Sequence, residues 1–193
     1  MRFIDDSEYG PIRRFGDAHI YYALLCLDKD KPISRATLSS CTNIGEGSVR
    51  KIIEVLKTWK TIDVKQTGIT ITDAGIDLLK SIPMNLIDLE RSEYVIGAFQ
   101  QGVLVHGVSD KITNGMHQRD KGIIAGAEGS SVFVMRNGRV IMPKNWDIDA
   151  RDPALAEQLR NHGMKEGDTV IISGASDRTT AAVSAITIAL DLL

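Results

Sequence analysis

The chain has 193 residues, 43% of them hydrophobic and 25% charged. That is the balance of an ordinary globular protein, and it excludes wholesale disorder, a collagen-like repeat and a disulfide scaffold. A net charge of −2 and a pI near 6.1 exclude a protein that grips nucleic acid by bulk basicity, and only 5% aromatic residues argues against a stacking surface for single strands. At about 100–200 residues per domain the length admits one ordinary domain or two small ones.

The opening MRFIDDSEYG places acids where a secretory signal needs an apolar core. No apolar run reaches the roughly 20 residues of a membrane span. Cys26 and Cys41 lie among apolar or small neighbours and read as buried thiols rather than a disulfide. The expected compartment is the cytoplasm, with no membrane partner.

Patterning divides the chain into a first domain over 1–83, a linker over 84–93 and a second domain over 94–193. Ile20, Leu24 and Leu27 recur at helical spacing and predict a helix from Asp17 to Leu27. Asp28-Lys29-Asp30-Lys31-Pro32 ends it in a charged turn with a helix-breaking proline. Ser34 then stands where an N-cap belongs, opening a short helix that turns Leu38 and Cys41 inward. Thr42 to Ser48 is a turn rich in capping residues. It opens a longer helix reaching about Trp59, with Val49, Ile52, Ile53 and Leu56 on one face. Ile62 to Gln66 and Ile69 to Thr72 alternate and are β-branched around Thr67-Gly68, a hairpin signal. Thr72 or Asp73 caps a fourth helix, Ala74 to Ile82.

The order helix, helix, longer helix, hairpin, helix is that of a winged helix-turn-helix. Gly45-Glu46-Gly47-Ser48-Val49-Arg50 and Ile71-Thr72-Asp73-Ala74-Gly75 resemble the regulator motifs that open the recognition helix and follow the wing. Ile71 stands where that pattern has leucine. From Ser34 to Lys65 the cations Arg35, Arg50, Lys51, Lys57, Lys60 and Lys65 oppose the anions Glu46, Glu54 and Asp63. The segment is therefore +3 and the remainder −5, so the positive charge concentrates where a duplex would lie. The residues expected to contact DNA are Arg35, Ser48, Arg50, Lys51, Lys57, Lys65 and Gln66. Ser48, Arg50 and Lys51 lie toward the end of the helix that reaches base edges, and Lys65, Gln66 and Thr67 form the wing tip, placed to touch backbone or minor groove.

In the second domain Val103 to Val105 predicts a strand. Ile112, Met116, Ile123, Ile124 and Ala127 predict a helix interrupted by the polar Gln118-Arg119-Asp120-Lys121. Ser131 to Met135 and Arg139 to Met142 predict strands joined by Asn137-Gly138, a type I′ hairpin signal. A helix over Ala154 to Arg160, a strand over Thr169 to Ile172 and a last helix from Asp177 to Leu192 follow. The fold class is thus α+β, a winged helix-turn-helix followed by a ferredoxin-like βαββαβ domain with an added C-terminal helix. A three-layer arrangement, with the last strand extending the sheet in parallel, is the alternative.

Gly174, Asp177, Arg178, Thr179 and Thr180 form a strand-to-helix turn whose backbone N–H groups can hold an anion. With Arg119 and Asp120 they are the residues expected to bind a small-molecule effector. Against this, Asp177 would repel an anion and can simply cap the helix. Arg119 and Asp120 can face a pocket or a partner subunit, or equally be a charged pair on a solvated face. The turn Gly126 to Ser130 has no nucleotide-binding spacing. The histidines and cysteines have no metal-ligand spacing, and no catalytic residue, metal or cofactor is assigned.

As a whole the chain resembles an archaeal-type family of predicted transcriptional regulators, with an N-terminal winged helix and an uncharacterised C-terminal domain. In the second half that resemblance rests on Gly115-Met116, Gln118-Arg119-Asp120, Gly126-Ala127 and Met142-Pro143. The expectation is a non-enzymatic regulator that binds duplex DNA as a homodimer, with a second domain that either senses a small-molecule effector or makes the dimer. A protein-interaction module without DNA contact, and an enzyme regulated by its winged helix, are the alternatives.

Overall fold

A computed structural model describes residues 15–193. The opening ten residues, read above as lacking a signal, lie outside the described residues. Two compact units meet between Ile82 and Pro83.

The first unit comprises α1 (Asp17–Leu25), α2 (Arg35–Thr42), α3 (Glu46–Thr58), β1 (Ile62–Lys65), β2 (Gly68–Ile71) and α4 (Asp73–Ser81). Ser34 caps α2, its Oγ accepting from Thr37 N at 3.0 Å. Asn43 ends α2 in the left-handed region at φ 52°, a conformation asparagine tolerates. There Ser39 Oγ donates to the Ile44 carbonyl at 2.5 Å, so the turn into α3 is fixed on both sides. The apolar faces of the three helices close over Ile20, Leu24, Leu38, Val49, Ile52 and Leu56, with Ile69 and Ile71 from the hairpin. Register pairs Lys65 with Gly68, so the wing turns at Gln66-Thr67, one residue earlier than the alternation suggests. Gly68 supplies φ +134° there, and a Cβ on it would lie 2.7 Å from the Ile33 carbonyl oxygen. That contact exists because Ile33 and Ile69 exchange backbone hydrogen bonds of 3.0 and 2.8 Å, which moor the lead-in to α2 against the wing.

The cysteine reading is corrected. Cys26, which ends α1, and Cys41, in α2, are joined by a disulfide with their Cα atoms 6.6 Å apart. Both side chains are half-buried. Packing α1 against α2 brings the two within bridging distance, and spacing along the chain carries no sign of it.

The second unit holds a six-stranded antiparallel sheet. Its elements are β3 (Met84–Ile87), β4 (Phe99–Val105), α5 (Met116–Ile124), β5 (Gly129–Arg136), β6 (Arg139–Met142), β7 (Trp146–Asp147), α6 (Ile148–Arg151), α7 (Pro153–Asn161), β8 (Thr169–Ala175) and α8 (Arg178–Leu192). The segment read as a linker is corrected in part, because residues 84–87 form β3, which pairs with β4 from Met84↔Val105 to Ile87↔Gly102. Four residues with one polar side chain among Met, Leu and Ile are too short to show a strand period.

From β4 to α8 the strands and main helices follow the expected order. Strands lie in the order β3-β4-β8-β5-β6-β7, which puts β8 at the centre rather than at an edge. Every residue of β8 is buried, as a strand covered on both faces requires. It pairs antiparallel with β4 and with β5, which excludes the parallel extension. Val170 and Ile172 face a core with Phe133, Leu155 and Leu159. α8 and α5 cover the other face, so the unit has three layers. Asn137 and Gly138 turn β5 into β6 with φ 53° and 72°, the I′ geometry.

Two carboxylates tie the second unit together. Asp149 accepts from Arg160 at 2.6 Å and from Val140 N at 2.8 Å, and the Arg160 contact holds its pKa below the usual carboxylate range. Asp177 is lowered in the same way, by the Thr180 hydroxyl and then by backbone N–H groups. A carboxylate with a depressed folded pKa adds stability above its unfolded value, near about 3.9, and that stability is lost as pH falls through the folded value. Thermal melts of wild type and Asp149→Asn should therefore differ at neutral pH and converge as pH drops below about 4. A constant gap down to the lowest pH would contradict this.

Candidate nucleic-acid interface

Between α3, the start of α2 and the wing lies an open cleft of about 440 Å³. Arg50, Ile53, Glu54 and Lys57 of α3 line one wall. Their i, i+3, i+4, i+7 spacing puts them on one helix stripe. Arg35 enters from α2, and Val64 to Ile69 supply the opposite wall. The Ile33–Ile69 pairing carries Arg35 to this position. The cleft thus holds four cations, Arg35, Arg50, Lys57 and Lys65, and one anion, Glu54. All five are exposed, so a duplex backbone can reach them.

Of the seven residues expected to contact DNA, the structure brings Arg35, Arg50, Lys57, Lys65 and Gln66 together in this cleft. Lys51 does not line the cleft but pairs at 3.1 Å with Glu54 on its wall. Ser48 is half-buried near the start of α3 and does not line the cleft. Thr67, read at the wing tip, also lines the cleft, and Glu54 and Ser34 line it without having been expected there. Glu54 could have been found from its place four residues after Arg50 and three before Lys57.

The motif glycines divide into two kinds. Gly75 is required by packing, since a Cβ there would lie 2.3 Å from the Thr61 carbonyl oxygen where α4 crosses the end of the hairpin. A Cβ added at Gly45 or Gly47 would meet nothing within 4 Å. No side chain caps α3; the Ser48 amide instead donates to the Gly45 carbonyl at 2.9 Å. In the isolated unit neither position needs glycine.

In the second unit the residues expected to bind an effector do not form one site. Asp177 is the N-cap of α8, its Oδ1 accepting from Thr180 N at 2.9 Å and its Oδ2 from Thr180 Oγ1 at 2.6 Å. The carboxylate therefore occupies the place an anion would take. Gly174 is buried, with its oxygen accepting from Glu128 N at 2.8 Å. The Arg178 guanidinium lies over the Phe99 ring at 5.4 Å, and Thr179 is half-buried beside it in the first turn. Arg119 and Asp120 are exposed on α5, which runs antiparallel to α8. His117 and Lys121 of α5 meet Asp191 near the end of α8, while Gly126 lies against Thr180 at its start. The two halves of the expected site are thus separated by about 16 Å of helical rise. Among the described residues no cluster of His, Cys, Asp and Glu is placed to hold a metal ion, and no helix is long and apolar enough to cross a membrane.

Residues 96–192 match the family model described as a domain of unknown function, DUF4443. Residues 19–86 match the model described as the CggR N-terminal DNA-binding domain, and this match covers the cleft and both of its walls. Among solved structures the chain is similar to a hypothetical protein from Pyrococcus horikoshii OT3, at 22% identity and a TM-score of 0.70, over 92% of this chain and 93% of that one. That similarity concerns the fold alone. No curated protein matches the sequence.

Proposed function

The chain belongs to the DUF4443 family, and from that premise we propose that it is a transcriptional regulator that binds duplex DNA through its winged helix and acts in the cytoplasm as a homodimer. The observation that carries this reading is the cleft in which Arg35, Arg50, Lys57 and Lys65 converge between the recognition helix and the wing. The match of residues 19–86 to a DNA-binding domain model supports it. α3 enters the major groove with its N-terminal half, the wing lies along the backbone, and Arg35 holds a phosphate. Four phosphate-facing cations on one unit give weak binding. Two units on one duplex supply affinity and a palindromic site. The second unit is the dimerisation domain, a role favoured over effector binding because Asp177 already fills the helix N-terminus of the expected ligand site. The chain is assigned no catalytic step.

The test is fluorescence anisotropy with fragmented genomic duplex at several salt concentrations. Affinity should fall with salt by a log–log slope of about 0.9 per phosphate neutralised. Gly47→Ala should leave the melting temperature unchanged or slightly higher, because alanine favours a helix by up to about 1 kcal/mol over glycine. The same substitution should weaken binding about tenfold by adding a methyl at the approached surface. A salt-independent affinity, or a captured protein partner with no duplex binding at all, would overturn the reading.

A further inference from the structure

α5 is oriented against its own hydropathy. Its sequence pattern turns Met116, Ile123 and Ile124 inward and leaves Gln118 to Lys121 as a polar interruption. The structure buries Gln118 and Gly122 instead, and exposes Met116 at 50%, Ile123 at 43% and Ile124 at 86%. Close approach explains the choice of buried face. A Cβ on Gly122 would lie 2.1 Å from Ser130 Oγ and 3.0 Å from Ile188 Cδ1, so only a glycine face can settle onto β5 and α8. The outward face carries an apolar ridge, Met116 and Ile123, one residue pair seven apart. Arg119 flanks the ridge on one side and Asp120 on the other.

The charges of this helix are spent unequally. His117 and Lys121 both engage Asp191 of α8. Arg119 and Asp120 form no ion pair among the described residues, although they are opposite in sign and exposed. A ridge of apolar side chains between two unpaired opposite charges is self-complementary under one symmetry only. A two-fold axis parallel to the helix sets Met116 against Met116 and Ile123 against Ile123. It also sets Arg119 of each copy against Asp120 of the other, on both flanks. A two-fold axis perpendicular to the helix would instead bring Arg119 beside Arg119 and Asp120 beside Asp120. Isologous closure through one patch is the commonest solution for a soluble homo-oligomer.

We propose that the outer face of α5 is the homodimer interface of this protein, with two copies of α5 packed side by side in parallel about a two-fold axis. The inference rests on the dimer reading above and names its surface. Each Arg119 pairs with the partner's Asp120, and the ridge buries Met116, Ile123 and the adjoining Ile124.

Sedimentation velocity and light scattering of the full chain test it. Wild type should run at twice its 21.1 kDa chain mass. Arg119→Asp and Asp120→Arg should each weaken self-association at least tenfold, because each change places like charges on both flanks. The double exchange, Arg119→Asp with Asp120→Arg, should restore it to within about threefold. All three should keep the wild-type far-UV circular dichroism, since both positions are exposed on the single chain, and only the single exchanges should lose the part of thermal stability that association supplies. Ile123→Cys should cross-link to itself under oxidation. A wild type that stays at the single-chain mass overturns both the interface and the dimer reading. A dimer that ignores the single exchanges, is not rescued by the double one, or fails to cross-link at position 123 overturns the interface alone.

Discussion

Reversing two cations of the cleft, Arg50→Glu with Lys57→Glu, should weaken duplex binding by a hundredfold or more and leave the fold intact. The four cations and Glu54 give the cleft +3. Each reversal changes that by −2, so the doubly reversed cleft carries −1 and repels phosphate. Losing two phosphate contacts should lower the salt slope by about 2. Because both side chains are exposed on α3, the melting temperature should stay within about 0.5 kcal/mol equivalent of wild type. Glu54→Gln works in the opposite direction, raising the cleft to +4, and should tighten binding a few-fold. Lys80→Glu, at an exposed position of α4 outside the cleft, is the comparison at equal charge change. If it weakens binding as much as Arg50→Glu, the effect is one of total charge and the cleft has no special part. Equilibrium anisotropy at two salt concentrations separates these outcomes.

The first unit was legible because local and global signals agree there. The Ser34 cap, the apolar face of α3 and the β-branched wing each predict the element that forms. The +3 segment marks the side on which the cleft opens. What the sequence could not carry was the convergence itself. The Ile33–Ile69 pairing, which brings Arg35 to the wing, is a non-local backbone contact between residues of ordinary composition. Lys51 shows the limit of counting charge by segment, since adjacent lysines and arginines on a helix point about 100° apart and only Arg50 faces the wing.

The second unit was legible in order and less so in orientation. Asn137-Gly138 and the run of buried residues in β8 gave their elements correctly. α5 did not, because hydropathy assigns the apolar face to the interior, and here a glycine decided. The steric allowance at Gly122 outweighed the burial of two isoleucines, which fits a surface completed by a second copy. The short strand β3 and the two-residue β7 have too few residues for any period. The expected effector site failed for a different reason. Strand-to-helix turns with Gly, Asp and Thr look alike whether they cap their own helix or leave it open, and the Asp177–Thr180 bonds put this one in the first class.

Removing the Cys26–Cys41 bridge should cost the first unit about 3 kcal/mol. The two cysteines are 15 residues apart, and closing a loop of that size restricts the unfolded chain by about that amount. In a unit of about 70 residues, 1 kcal/mol moves the melting temperature by roughly 4–8 °C, so reduction or Cys26→Ser with Cys41→Ser should lower it by about 12–24 °C. Small domains bury a limited fraction of their surface and gain most from such a link. The bridge also ties α1 to the helix that precedes the recognition helix, so its loss loosens the frame on which the cleft depends, and duplex affinity should fall with stability. A regulator in a reducing compartment would meet this cost continuously. Keeping the bridge there requires a reduction potential below that of the glutathione pool, which an equilibrium titration against a thiol–disulfide buffer measures directly. Wild type should lose its thermal advantage when reductant is added, and the double serine variant should be indifferent to it. Equal melting temperatures in both proteins, or two free thiols in the unreduced chain, would remove the disulfide from the account of this fold.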